Sequence, residues 1–287
     1  MADRAAVLTE NLRGSSREHE ALARDETPMH RKPLPRNAFR ALAGIAETLR
    51  AAQMRFILLD FDGTLVRIRR RPQDVRPSKR LADILERLVA LPETTVAILS
   101  GRDVRTLQTL VGVKGIRHIG MHGSEEPHKV TRLSEEARRA LGSAKRMARR
   151  QLAEFAGIDI EDKGHGFTVH YRGADPPSVR GASRKLLAIV APRRHTLHVL
   201  NGKKVWEVLP RQIPGKGSAM KRLLADCPSG SALLFVGDDE PDEPAFAALE
   251  EHITVHVGRK EDTRAHFCLR SPGEVLRFLE ILERELR

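Results

Sequence analysis

The stretch Phe56-Ile57-Leu58-Leu59-Asp60-Phe61-Asp62-Gly63-Thr64-Leu65 sets two carboxylates, one residue apart, at the end of an apolar run. The length and the β-branched and aromatic content of that run suit a buried parallel strand. Side chains at i and i+2 leave a strand on the same side, so Asp60 and Asp62 can address one reacting atom or one cation. Gly63, which has no Cβ, lets the backbone approach whatever sits there. An isolated Asp-x-Asp is more often a solvated turn. The buried strand ahead of it favours chemistry, because ligands of open α/β sheets gather beyond the carboxyl ends of the strands.

Other strand ends carry matching groups. Thr95-Val96-Ala97-Ile98-Leu99 ends at Ser100-Gly101, and a helix is expected from Arg102 to Leu110. A hydroxyl there can donate to a phosphate oxygen near the helix's positive end. Lys216-Gly217-Ser218 opens a helix behind Pro210 and Pro214, and Ala232-Leu233-Leu234-Phe235-Val236 runs into Gly237-Asp238-Asp239. Hard oxygen ligands from the first and last of these segments suit Mg2+, which binds through a few carboxylates plus substrate phosphate. Ser100 and Lys216 can then hold and neutralise phosphoryl oxygens. A carboxylate nucleophile beside such a cation implies an aspartyl phosphate.

The elements that must position these groups follow a βαβ rhythm, which predicts a parallel sheet. Asn37 is expected to cap a helix through Ala51, a second helix spans Ser78 to Leu91, and Ile116 to Ile119 makes a short strand. From residue 126 the pattern changes to helix, strand, strand, helix and hairpin. The hairpin pairs Thr196–Leu200 with Val205–Leu209 around a turn at Asn201-Gly202. The expected fold class is therefore α/β, a Rossmann-like parallel-sheet core with an inserted smaller α+β domain. Its divisions are an N-terminal extension with a helix over 1–50, a core over 51–125 and 211–287, and the insertion over 126–210.

Composition narrows the classes. With 287 residues, 40% of them hydrophobic, the chain can build one large or two modest domains. Its formal charge of +12 attracts polyanions or acidic substrates, and a phosphorylated small molecule accounts for that as well as nucleic acid does. A single Trp and a single Tyr provide no platform on which bases would stack. Cys227 and Cys268 are far apart and lack metal-ligand spacing, as in a reducing compartment. No run of 18 apolar residues and no secretory signal are present, so the expectation is a cytoplasmic protein without membrane or nucleic-acid partners, monomeric or weakly oligomeric. The basic cluster Arg67, Arg69, Arg70 and Arg71 reads as a solvated loop.

Together, Asp60-Phe61-Asp62-Gly63-Thr64, Ser100, Lys216 and Gly237-Asp238-Asp239 resemble the four motifs of the haloacid-dehalogenase-type phosphatases. The resemblance implies that Asp60 attacks phosphorus and that Asp62 protonates the leaving oxygen, then activates water. It makes Ser100 and Lys216 phosphate binders. Magnesium would rest on Asp60, the Asp62 carbonyl and Asp238, with Asp239 or Asp242 as helpers. Further marks narrow the resemblance to trehalose-6-phosphate phosphatases over residues 56 to about 270. These are Leu99-Ser100-Gly101-Arg102, Gly120-Met121-His122-Gly123-Ser124-Glu125, Glu161-Asp162-Lys163-Gly164 with His170-Tyr171-Arg172, and Gly202-Lys203-Lys204-Val205-Trp206-Glu207.

In that family the insertion is a cap that closes over trehalose 6-phosphate. The likeness implies sugar contacts from Glu161, Lys163, Arg172 and Glu207, with Arg102, His122 and His170 as further substrate contacts beside Gly63. Glu161 and Lys163 alternate onto one face of a strand, as a polyol site needs, although a surface ion pair would look the same. Trp206 points to the opposite face from Glu207 and should pack the insertion. Pro241 stands where the family pattern usually has Thr, a position a helix's first turn tolerates. Two other readings stay open: a phosphatase of a different sugar phosphate, and a polyanion binder driven by the basic surface.

Overall fold

The sheet forms because its strands are apolar on both faces and alternate residues reach two separate cores. The computed structural model describes residues 34–69, 72–126, 129–260 and 262–287. Most of the expected N-terminal extension, and Arg70 and Arg71 of the basic cluster, lie outside the described residues. The first part of the chain forms β1 (Arg36–Asn37), α1 (Leu42–Ala51), β2 (Arg55–Leu59), α2 (Lys79–Val89), β3 (Thr94–Leu99), α3 (Val104–Val111), β4 (Arg117–Ile119), β5 (Glu125–Glu126) and β6 (Lys129–Val130). Next come α4 (Glu135–Gln151), β7 (Asp159–Asp162), β8 (Phe167–His170), α5 (Pro176–Val190), β9 (Leu197–Gly202) and β10 (Val205–Pro210). The chain closes with α6 (Gly215–Asp226), β11 (Ala232–Gly237), α7 (Glu243–Ala248), β12 (Ile253–Val257), β13 (Phe267–Leu269) and α8 (Pro272–Leu286).

Seven strands make a sheet in the order β1-β13-β12-β11-β2-β3-β4, and every pairing is parallel. Ile57, Leu59, Val96, Ile98, Leu234 and Val236 pack with α1, α2, α3 and α8 on one face. Leu58, Ala97, Leu99, Leu233 and Phe235 pack with α6 and α7 on the other. This is the expected doubly wound α/β core, with β2 central and flanked by β11 and β3. Among the described residues no helix is long and apolar enough to cross a membrane.

The insertion forms a four-stranded antiparallel sheet, β7-β8-β10-β9, backed by α4 and α5. Period-two alternation sends Phe167, Val169, Trp206 and Val208 into a core with Leu141, Ala144, Leu186 and Ile189. Trp206 stacks on Tyr171 at 4.2 Å between ring centroids, the packing role its strand position implied. The alternate residues, Thr168 and Glu207 among them, are left for the opposite face.

Four local expectations need correction. Asn37 does not cap a helix: it ends β1, and its side chain accepts from the Phe39 N–H in a turn before α1. Residues 35–50, assigned from sequence to an extension with a helix, instead supply an edge strand and most of a core helix, because Ala38, Ile45, Ala46 and Leu49 bury in one core with α8. The hairpin turn is Lys203-Lys204, not Asn201-Gly202, with Lys204 taking the positive φ of 68°. Gly202 serves a close approach instead, since a Cβ there would lie 3.1 Å from Asp239 Oδ2. Likewise α3 starts after Asp103, whose carboxylate accepts the Thr106 N–H as N-cap.

Leu49→Ala should lower unfolding free energy by about 2–5 kcal/mol in urea titration, as for a fully buried leucine. A loss below about 0.5 kcal/mol would place α1 outside the cooperative core.

Candidate active site

At the carboxyl ends of β2 and β11 the parallel pairing brings four segments to one point. The Asp60 N–H donates to the Val236 carbonyl, so Asp60 still follows the β2 direction. After Asp60 the chain turns back on Phe61, whose carbonyl accepts the Leu65 and Val66 N–H groups. The turn, rather than strand alternation, therefore aims Asp62.

Lys216 on α6 is 5% exposed, and its ammonium bonds Asp60 Oδ1 and Asp242 Oδ1, each at 2.6 Å. Burial opposes that charge, but Asp242 and Asp60 outweigh burial and hold the Lys216 pKa well above the ordinary lysine value. Asp242 is fully buried, and its other oxygen accepts the N–H groups of Asp238 and Asp239 at 3.0 Å. Asp60, Asp238 and Asp242 thus place one oxygen each within 4.8 Å of one another. Burial pushes the Asp60 carboxyl well up against the pull of Lys216, with Asp242 and Asp238 adding to the rise. Burial and Asp242 also raise Asp238 to about 7, although Lys203 opposes them.

The cluster fits a hard divalent cation. Asp60 Oδ2 is buried without a hydrogen-bond partner. Gly63, at φ +94°, leaves open a cradle in which a Cβ would stand 2.0 Å from Asp238 Oδ2. Asp242 has both oxygens engaged and acts chiefly by tying Lys216 to the β11 loop. Asp239, expected among the metal ligands, is not in the cluster. Its oxygens accept the Lys203 N–H at 2.7 Å and the Glu240 N–H at 2.9 Å, because it caps the short turn Glu240–Asp242. Pro241 sits in that turn without disturbing it.

Asp62 lies outside the cluster as well. Arg102 grips both its oxygens, at 2.6 and 2.7 Å, and the Arg102 guanidinium also lies 5.6 Å from the Phe61 ring centroid. Arg102, expected as a substrate contact, is therefore placed to orient Asp62. Ser100 is 2% exposed, and its Oγ accepts the Arg102 N–H at 3.2 Å. That leaves the hydroxyl proton available to a ligand.

A cleft of about 440 Å3 opens above this floor. Every residue selected from the sequence lines it except Asp60, which lies beneath, and Gly63, which borders a smaller neighbouring pocket. The polar face of the four-stranded sheet forms the opposite wall. Glu207 pairs with His122 Nε2 at 2.7 Å and with Lys163 Nζ at 3.5 Å. Burial works against the Glu207 charge, yet His122 and Lys163 hold its carboxyl well below the usual range. Glu161 meets His170 Nε2 at 2.9 Å and Lys163 Nζ at 4.0 Å, and Arg172 donates to the Lys203 carbonyl at 2.7 Å. His122 adopts φ 55°, and Met121 before it φ 47°. Two successive non-glycine residues in the left-handed region cost about 1–3 kcal/mol each, a strain expected at functional sites. Arg69 lines the cleft and Arg67 the smaller pocket, so part of the basic loop faces the site.

One residue the sequence reading passed over is Lys203, whose ammonium pairs with Asp238 Oδ2. Its signal was a pair of lysines beside Gly202 in the hairpin. The raised Asp238 pKa means that the folded state holds this proton more tightly than the unfolded chain does. Its contribution is therefore present below the ordinary carboxylate range near 3.8 and lost as pH rises through about 7. Buried His118 and His256 and half-buried His198 shift downward and oppose it on acidification, so the readout is a difference between proteins. Asp238→Asn should be more stable than wild type in EDTA at about pH 8, by at least about 1.4 kcal/mol, and equal to it near pH 4. A pH-independent difference in melting would contradict the shift.

Comparison with known proteins agrees with the geometry. Residues 58–271 match the family model described as trehalose-phosphatase. A trehalose-phosphate phosphatase of Mycobacterium tuberculosis is 35% identical over 265 residues, covering 88% of this chain and 66% of the relative. A trehalose-phosphatase of Schizosaccharomyces pombe is 32% identical, covering 79% of this chain and 30% of that protein. The chain thus spans slightly less than two thirds of the length of the mycobacterial relatives. The C-terminal domain of a Candida albicans trehalose-6-phosphate phosphatase superposes with a TM-score of 0.75 at 26% identity, covering 88% of this chain and 98% of that one. With three quarters of its length matched to the family model, the chain belongs to the trehalose-phosphatase family.

Proposed function

We propose that the chain hydrolyses trehalose 6-phosphate to trehalose and inorganic phosphate, through a phosphoryl group carried transiently on Asp60. The observation behind this reading is the buried Asp60 carboxylate. Lys216 steadies one of its oxygens, the other has no partner, and both lie beneath a polar cleft. Family membership and the names of the relatives supply the substrate.

In this reading the Asp60 carboxylate attacks phosphorus, and the bond from phosphorus to the sugar oxygen breaks. Asp62, aimed by Arg102, gives its proton to the departing oxygen. It then takes a proton from the water that attacks the phosphoryl-Asp60, which releases phosphate and restores both carboxyl groups. Lys216 and the Ser100 hydroxyl hold the equatorial oxygens. Asp60, Asp238 and the Asp62 main-chain carbonyl would hold Mg2+, whose charge would draw the phosphoryl oxygens toward the floor.

The inserted domain acts as a cap in this scheme. Glu161, Lys163, His170 and Glu207 present alternating acceptors and donors on one sheet face, a pattern suited to hydroxyls of a sugar. Closure would exclude bulk water and align the ester.

Phosphate release from trehalose 6-phosphate, sucrose 6-phosphate, glucose 6-phosphate and p-nitrophenyl phosphate tests the proposal. Trehalose 6-phosphate should lead by at least tenfold in kcat/KM, EDTA should stop turnover, and Asp60→Asn should be inactive. Asp62→Asn should lose about 10²- to 10⁴-fold in kcat. Equal rates across the panel would discard the disaccharide, and full activity of Asp60→Asn would discard the mechanism.

A further inference from the structure

The tip of the β9–β10 hairpin makes three contacts with the β11 loop, and all of them pass through Lys203 or its neighbour. The Lys203 ammonium pairs with Asp238 Oδ2. Its N–H donates to Asp239 Oδ2 at 2.7 Å. Gly202 packs so close to Asp239 that a Cβ would stand 3.1 Å from the same oxygen. Arg172 braces the tip by donating to the Lys203 carbonyl at 2.7 Å. Asp238 is 2% exposed at its side chain, whereas Lys203 is 41% exposed, so the lysine can leave for solvent and the carboxylate cannot.

The charges on the floor make that freedom matter. Arg102 answers Asp62, and the buried Lys216 ammonium pairs with Asp60 and Asp242. Lys203 is the cation that meets Asp238. A divalent cation on Asp60 and Asp238 would answer both. Lys203 on the same Asp238 oxygen would then be a second cation against the first, and its exposed side chain has solvent to retreat into. A phosphoryl dianion laid over the floor would reverse the balance again and give the ammonium a partner.

We propose that Lys203 couples docking of the inserted domain to the charge of the acid cluster. It competes with Mg2+ for Asp238, so metal loading loosens the hairpin, and it docks again when a phosphate dianion joins the metal. The inference rests on the reading of Asp60 and Asp238 as the cation site. Coupling between two sites is reciprocal, so the cation must weaken hairpin docking by the factor by which the docked lysine weakens cation binding.

Two measurements on the full chain test it. In calorimetric titration with Mg2+ alone, Lys203→Met should bind the cation more tightly than wild type, within the usual coupling range of about 5- to 150-fold, while Lys203→Arg stays within about twofold. In hydrogen exchange read by mass spectrometry, the wild-type peptide spanning the hairpin tip should lose protection when Mg2+ replaces EDTA. It should regain protection when inorganic phosphate is added with Mg2+. In Lys203→Met the same peptide should be unprotected and unresponsive to Mg2+, with an unchanged melting temperature as the control for folding.

Unchanged or weaker Mg2+ binding by Lys203→Met, or a hairpin indifferent to Mg2+ in the wild type, would overturn the coupling while leaving the cation site standing. Absence of Mg2+ binding by the wild type itself would overturn the cation site and the coupling together.

Discussion

Everything at the floor of the cleft depends on one buried ammonium. Lys216 stands between Asp60 at the end of β2 and Asp242 behind β11, and it is the only group on α6 that could let two such carboxylates share a dry pocket. Burial pushes the Asp60 carboxyl up, and Lys216 is the group that pulls against it. Such a pair contributes little net stability, because desolvating the charges offsets most of their attraction. Its worth lies in position. Asp242, pinned by Lys216, accepts the N–H groups of Asp238 and Asp239, and so fixes where the β11 loop presents its acids.

The second wall follows from a different rule. The inserted sheet is apolar where α4 and α5 cover it and polar on alternate residues, so Glu161, Thr168 and Glu207 have nowhere to go but the cleft. There the two carboxylates meet partners: Lys163 just past β7, His170 from their own sheet, and His122 from the core loop. His122, left-handed in the short turn Met121–Gly123 that follows β4, connects the two walls through its pair with Glu207. Lys203 makes the second connection, through Asp238.

Much of this was legible in the amino-acid order. Apolar runs such as Ile57–Leu59 and Leu233–Val236 fixed the parallel strands, and the acids directly after them fixed the site, because an α/β sheet collects chemistry at those ends. What escaped was set by tertiary contacts. Asn37 looked like a helix cap, but pairing with Phe267–Leu269 drew its segment into the sheet. Gly202 looked like a turn residue, while its smallness serves the approach to Asp239. Arg102 looked like a substrate contact, and nothing in its local spacing told that its fork would close on Asp62 forty residues earlier. Asp239 and Asp242 are both acids near a strand end, and only the loop geometry says which one turns inward.

The proposed chemistry rests on Asp60 carrying the phosphoryl group. The most direct measurement is acid quenching of the enzyme during turnover of trehalose 6-phosphate, followed by mass spectrometry of its peptides. One added phosphoryl group is expected on the peptide that carries Asp60, absent from Asp60→Asn and lost on mild base treatment. Turnover at an undiminished rate with no phosphorylated peptide, or with the label on a residue other than Asp60, would contradict it.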